Sequence, residues 1–163
     1  MTEYQRLFLV QARSAFSVFH LLQGQSALPR CHALHYLQMA TELLGKAHAW
    51  KHGPNTTKHR AFVGFLKSLA TNRKAQKHLG FQGLNAKWEH LTRNSLPLAE
   101  CIEGLAPALA QDSPNPEYPW PRSAPEITPA EHTFREWQEL DTPAGREFLK
   151  WVSDLFAAAD AYL

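Results

Sequence analysis

The chain has 163 residues, 44% of them hydrophobic and 11% aromatic, which suits one domain with its own core and is too short for two. No run of about 18 apolar residues occurs, so no membrane-spanning helix is expected. The formal net charge is only +2 but unevenly spread: residues 58–93 hold eight Lys/Arg against the single acid Glu89, and residues 94–163 hold four Lys/Arg against twelve acids. That split points to a polyanion-facing middle and an acidic tail, or to two ends that pair within one chain or across a dimer.

The N-terminus, MTEYQRLFLVQARSAF, lacks the basic start and long apolar run of a signal peptide. A cytoplasmic location is therefore expected, with Cys31 and Cys101 as free thiols. Residues 4–23 repeat apolar groups at Leu7, Val10, Ala15, Val18 and Leu22, with Phe8, Phe16 and Phe19 adding bulk, and predict a first helix ended by Gly24. Pro29 opens a second helix over 30–50, closed by Gly53-Pro54. Thr56 or Thr57 is placed to cap a third, carrying Phe62, Phe65, Leu66 and Leu69. A short basic segment runs from Arg73 to Leu79, and Gly80 and Gly83 break the chain before a fourth helix over about 85–109.

Residues 114–129 hold six of the eleven prolines and predict an extended crossing, pinned to the helices by Tyr118 and Trp120. Thr128-Pro129-Ala130-Glu131 reads as a capping box opening a short helix with Phe134, Trp137 and Leu140. Thr142-Pro143 opens the last helix, whose broad apolar face carries Phe148, Trp151, Val152, Leu155, Phe156, Ala159 and Tyr162. The expected architecture is a single all-α domain over 1–163, a bundle of four to five main helices: a core bundle at 1–111, a proline-rich loop at 112–130 and C-terminal helices at 131–163.

The second helix departs from a plain core helix. Leu34, Leu37, Leu44 and Ala47 form an apolar stripe, while His35, Gln38, Glu42 and Lys46 recur at helical spacing on a neighbouring face. Glu42 precedes Lys46 by four, the favourable order for an ion pair. Such a row is either a solvated surface or the wall of a site.

The segment HYLQMATELLGKA, followed by KHRAFVGFL, resembles the HEPN superfamily of helical domains, and within it bacterial abortive-infection V-type proteins. The positions that carry the likeness are Ala40, Glu42, Leu44, Gly45, Lys46, Lys58 and His59, and it covers roughly residues 5–110. The resemblance implies a bundle that dimerises and serves in defence or toxin systems. It also implies that active members are metal-independent RNases using an arginine followed four to six residues later by a histidine. Chemically, a guanidinium clamps phosphate and an imidazole exchanges protons near neutral pH.

Three Arg/His pairs come near that spacing. Arg13 and His20 lie seven apart among phenylalanines, with His20 read as core. Arg30 with His35 opens the second helix, and Arg73 with His78 lies in the basic stretch RKAQKH, which makes it the first choice for catalysis. Glu42, Lys46 and His59 are expected as supporting polar groups, and Lys58, Arg60, Lys67, Lys74, Lys77, Lys87 and Arg93 as nucleic-acid contacts.

RNA is thus the expected ligand, with a homodimer and a basic protein partner on the acidic C-terminal third as further expectations. The non-enzymatic alternative is a binding or regulatory subunit of a defence complex. A metal-dependent bundle enzyme is the other alternative, through His48 and His52 with a third ligand such as His20, His59 or His90. No glycine-rich phosphate loop and no GxSxG elbow occurs, and no cofactor is expected. Trp88, between Lys87 and Glu89, reads as a packing residue rather than a base-stacking platform.

Overall fold

Thr2 starts the first helix: its hydroxyl accepts the Gln5 N–H while Gln5 Oε1 accepts the Thr2 N–H, a reciprocal capping box. The computed structural model describes residues 1–52, 59–110, 113–120 and 127–163. Among these it is all-α. Its helices are α1 (Glu3–Gln23), α2 (Arg30–Ala49), α3 (Ala61–Leu69), α4 (Arg73–His78), α5 (Asn85–Gly104), α6 (Pro107–Ala110), α7 (Arg135–Leu140) and α8 (Pro143–Tyr162). None is long and apolar enough to cross a membrane. The expected caps at Thr56 or Thr57 lie outside the described residues.

α1 and α2 pack along each other as a hairpin, which Arg30 closes by donating to the Gln23 carbonyl at 3.0 Å. α3 crosses α2, and α5 packs on both. α8 enters the same core: Phe156 stacks on Phe16 at 4.5 Å, and Arg13 donates to the Phe156 carbonyl and to Asp160. One apolar cluster therefore joins the first helix to the last. Gly80 and Gly83, at φ 80° and 78°, turn the chain from α4 into α5 through a backbone region costly for other residues. Thr142 caps α8 by accepting the Gly145 N–H, as the Thr-Pro pair implies. Both cysteines are free thiols.

Five expectations are corrected. In α1, Leu7 and Val10 face outward, and Leu9, Ala12, Ala15, Phe16 and Phe19 are buried. Two apolar stripes compete in α1, and the one with small alanines allows close approach to α2 while its phenylalanines fill the core. His20 is exposed and only edges onto Phe16 and Phe19. The fourth helix stops at Gly104, because Pro107 has no N–H to return to the Glu103 carbonyl. The Thr128 motif makes a turn rather than a helix start. The chain is extended at Phe134, and the His132 and Phe134 rings both pack against Trp120. Trp120 is the pin of the proline-rich loop, buried and bridged to Ile127, whereas Tyr118 is exposed.

Candidate functional site

The polar row of α2 is not a solvated face. Gln38 is buried, and the Glu42 and Lys46 side chains are only 12% and 14% exposed. Glu42 sits at the centre. Its Oε2 accepts from Gln38 Nε2 at 2.7 Å, and its Oε1 faces Lys46 Nζ at 2.5 Å and His59 Nδ1 at 3.2 Å. Two residues of α2 thus fix the carboxylate, and the third contact comes from the residue leading into α3. Gly45 makes this possible: a Cβ there would meet the Ala61 carbonyl carbon at 2.4 Å, so only glycine lets α3 start this close to α2.

α3 is capped from a distance. Glu103 of α5 is buried, and its Oε1 accepts the Phe62 and Val63 N–H groups at 2.8 and 3.2 Å. The carboxylate occupies the positive end of the helix that an external anion would otherwise seek. Burial pushes the Glu103 carboxyl above its ordinary range. The Val63 and Phe62 N–H groups and Arg60 pull it back in part, and nearby Glu42 adds to the rise. Nothing in the sequence marked Glu103 as a cap. The available signal was an acid on the apolar stripe of α5, beside Ala99 and Ile102.

From this point a groove runs between α3 and α5. A hollow of about 520 Å³ is walled by Arg60, Gly64, Lys67, Glu100 and Glu103, and a second of about 300 Å³ by Lys67, Ala70, Glu89, Thr92 and Arg93. Lys67 belongs to both. No protein-family model, curated protein or solved structure matches this chain.

The expected catalytic pair does not converge. Arg73 Nη1 donates to Gln76 Oε1 at 2.8 Å and Asn85 Oδ1 at 2.9 Å, while Gln76 Nε2 donates to Asn85 and to the Phe81 carbonyl. This amide network holds the α4–α5 turn. His78 is five residues on, about 140° around the helix, and lines a hollow against Asp154, Ala157 and Ala161 of α8. Arg30 and His35 diverge as well. The Arg30 guanidinium lies 4.7 Å over the Trp137 ring, and His35 Nδ1 faces Glu117 Oε2 at 3.8 Å, beyond hydrogen-bond reach.

Of the supporting groups, Glu42, Lys46 and His59 do come together. Of the expected nucleic-acid contacts, Arg60, Lys67, Lys74, Lys77, Lys87 and Arg93 are exposed, and Lys58 lies outside the described residues. Trp88 is buried, donates to the Leu69 carbonyl at 3.0 Å and packs on Phe81 and Trp151, so it is a packing residue. His48 Nε2 is 3.0 Å from Ser68 Oγ, and the His52 side chain is outside the described part. Among the described residues no three His, Cys, Asp or Glu side chains converge as a metal site would need.

Proposed function

We propose that this chain is a HEPN-like, defence- or toxin-type protein that binds RNA through the exposed cations of residues 60–93. One observation carries the reading: the acidic C-terminal third leaves the basic segment uncovered. Among the described residues, three of its acids pair elsewhere. Asp160 meets Arg13, Glu139 meets Arg135 and Asp154 meets Lys150. Between the two regions the described ion pair is Lys67–Glu100, at 3.8 Å and exposed on both sides, beside the buried Glu103 near Arg60. Lys74, Lys77, Lys87 and Arg93 take part in no described ion pair, whereas Arg60 is attracted to the Glu103 carboxyl. Uncompensated cations in that number favour a polyanion over internal neutralisation. The same pairings leave less support for a basic protein partner on the C-terminal third.

The triple variant Lys74→Glu, Lys77→Glu, Arg93→Glu tests this with a short single-stranded RNA followed by fluorescence anisotropy across a salt series. Losing three phosphate contacts should lower the slope of log K against log salt by about 2 and weaken binding at least tenfold at low salt. Thermal stability should hold, since exposed substitutions change it by only about 0.5 kcal/mol each. Unchanged affinity and slope in the variant would refute the reading.

A homodimer is the second proposal, and α1 supports it. Tyr4, Leu7, Val10 and Leu21 are exposed within an arc of about 120° on its outer face. A row of large apolar groups on one helix face marks an interaction surface, and we assign it to a second copy of the chain. Light scattering should give twice the chain mass for the wild type and the single-chain mass for Leu7→Glu/Val10→Glu. A monomeric wild type refutes this.

A further inference from the structure

We propose that two copies of the chain pair antiparallel through the outer face of α1, crossing with Ser14 on the two-fold axis. This rests on the homodimer reading and deepens it by fixing direction and register. The outer face of α1 is symmetric about Ser14. Leu7 and Leu21 lie seven positions before and after it. All three are exposed, and a drift of about 20° per seven residues keeps them on one stripe. Val10 and Val18 lie four positions to either side, about 40° off the stripe on opposite flanks. A two-fold axis through Ser14 therefore sets Leu7 beside Leu21 of the other copy, and Val10 beside its Val18. Ser14 meets its own counterpart, and its small side chain lets the helix axes approach to about 8 Å.

Charge selects the direction. Between Leu7 and Leu21 the stripe holds no charged side chain, as suits the core of an interface. Arg13 lies off it and is engaged by Asp160. Ser17, on one flank, returns its hydroxyl to the Arg13 carbonyl at 3.0 Å, so it brings no unpaired donor. Glu3 extends the stripe at the start of α1, with its partner Arg6 to one side. Parallel pairing would set Glu3 against Glu3 of the other copy and bring two positive helix starts together. Antiparallel pairing sets Glu3 near the uncharged Gln25 of the other copy and each helix start beside a helix end.

Cysteines introduced into the full chain test this geometry, with the wild type and its own Cys31 and Cys101 as the control. All three positions used are exposed, so the variants should keep the fold. Under mild oxidation Ser14→Cys should form a covalent dimer, because the axis brings that position onto itself. Leu7→Cys or Leu21→Cys alone should not. Antiparallel pairing holds the two copies of either position about 21 Å apart along the helix, beyond the roughly 7 Å reach of a disulfide. Leu7→Cys/Leu21→Cys should cross-link again, and a non-reducing gel reads each positive result as a doubled mass. Cross-linking of Leu7→Cys alone would show parallel pairing; this inference then falls and the homodimer reading stands. A dimeric wild type whose double variant does not cross-link pairs through another register or another face, which also overturns it. A wild type with the single-chain mass in light scattering removes both readings.

Discussion

Gly45→Ala should destabilise the protein by about 3 kcal/mol, lowering the melting temperature by about 6–12 °C. The sign separates two accounts of this glycine. In an open helix interior, alanine is better than glycine by about 1 kcal/mol, so a glycine without a packing role would yield a more stable variant. Here the added Cβ meets Ala61 and Phe62 backbone atoms at 2.4–2.5 Å, and backbone cannot rotate away as a flexible side chain could. The α2–α3 crossing must open, which also carries His59 away from Glu42. Gly64 is the internal control. It sits in α3 with open space around it, and Gly64→Ala should gain about 0.5–1 kcal/mol. Calorimetry of the two variants decides the matter. An unchanged or raised melting temperature for Gly45→Ala would mean that the helices do not cross as described.

Glu103→Ala should cost about 2 kcal/mol, because it strips two buried N–H groups at the start of α3 of their only described acceptor. Glu103→Gln keeps a carbonyl oxygen there and should cost less than about 1 kcal/mol. The pH dependence carries a definite sign. Burial raises the carboxyl above its usual value, so the folded state holds the Glu103 proton more tightly than the unfolded chain does. The Glu103 contribution is then fully present below the unfolded carboxylate range and is lost as pH rises through the raised folded value. Relative to Glu103→Gln, the wild type should therefore gain stability on acidification from about pH 7 to pH 4. Denaturant titrations of both proteins across that window measure the difference. A wild type that instead loses ground toward acid would show that the backbone N–H groups outweigh burial.

Both predictions concern α3, and so does the reading of the site. The proposed RNA-binding reading rests on composition together with one tertiary fact, that Lys74, Lys77, Lys87 and Arg93 take part in no described ion pair while Asp154 and Asp160 pair elsewhere. His59 joins the polar row of α2 only through a carboxylate 17 residues earlier in the chain. Arg73–His78 fits the expected spacing, and the structure adds that Gln76 and Asn85 both take Arg73 Nη1 while His78 lines a hollow against α8.

The sequence by itself determined the all-α class, most helix starts and stops, and the two glycine turns. These depend on groups a few residues apart: a cap hydroxyl and its N–H, a proline at a first turn, a repeat of period 3.6. It also set the charge asymmetry and the polar row of α2. Only the tertiary structure decided which stripe of α1 is buried, that Glu103 caps a helix some 40 residues earlier, and that Gln38, Glu42, Lys46 and His59 form one network. Those outcomes turn on where α2, α3 and α5 cross. The crossing is set by close packing at Gly45 and by burial of side chains far apart in the chain, which no local period records.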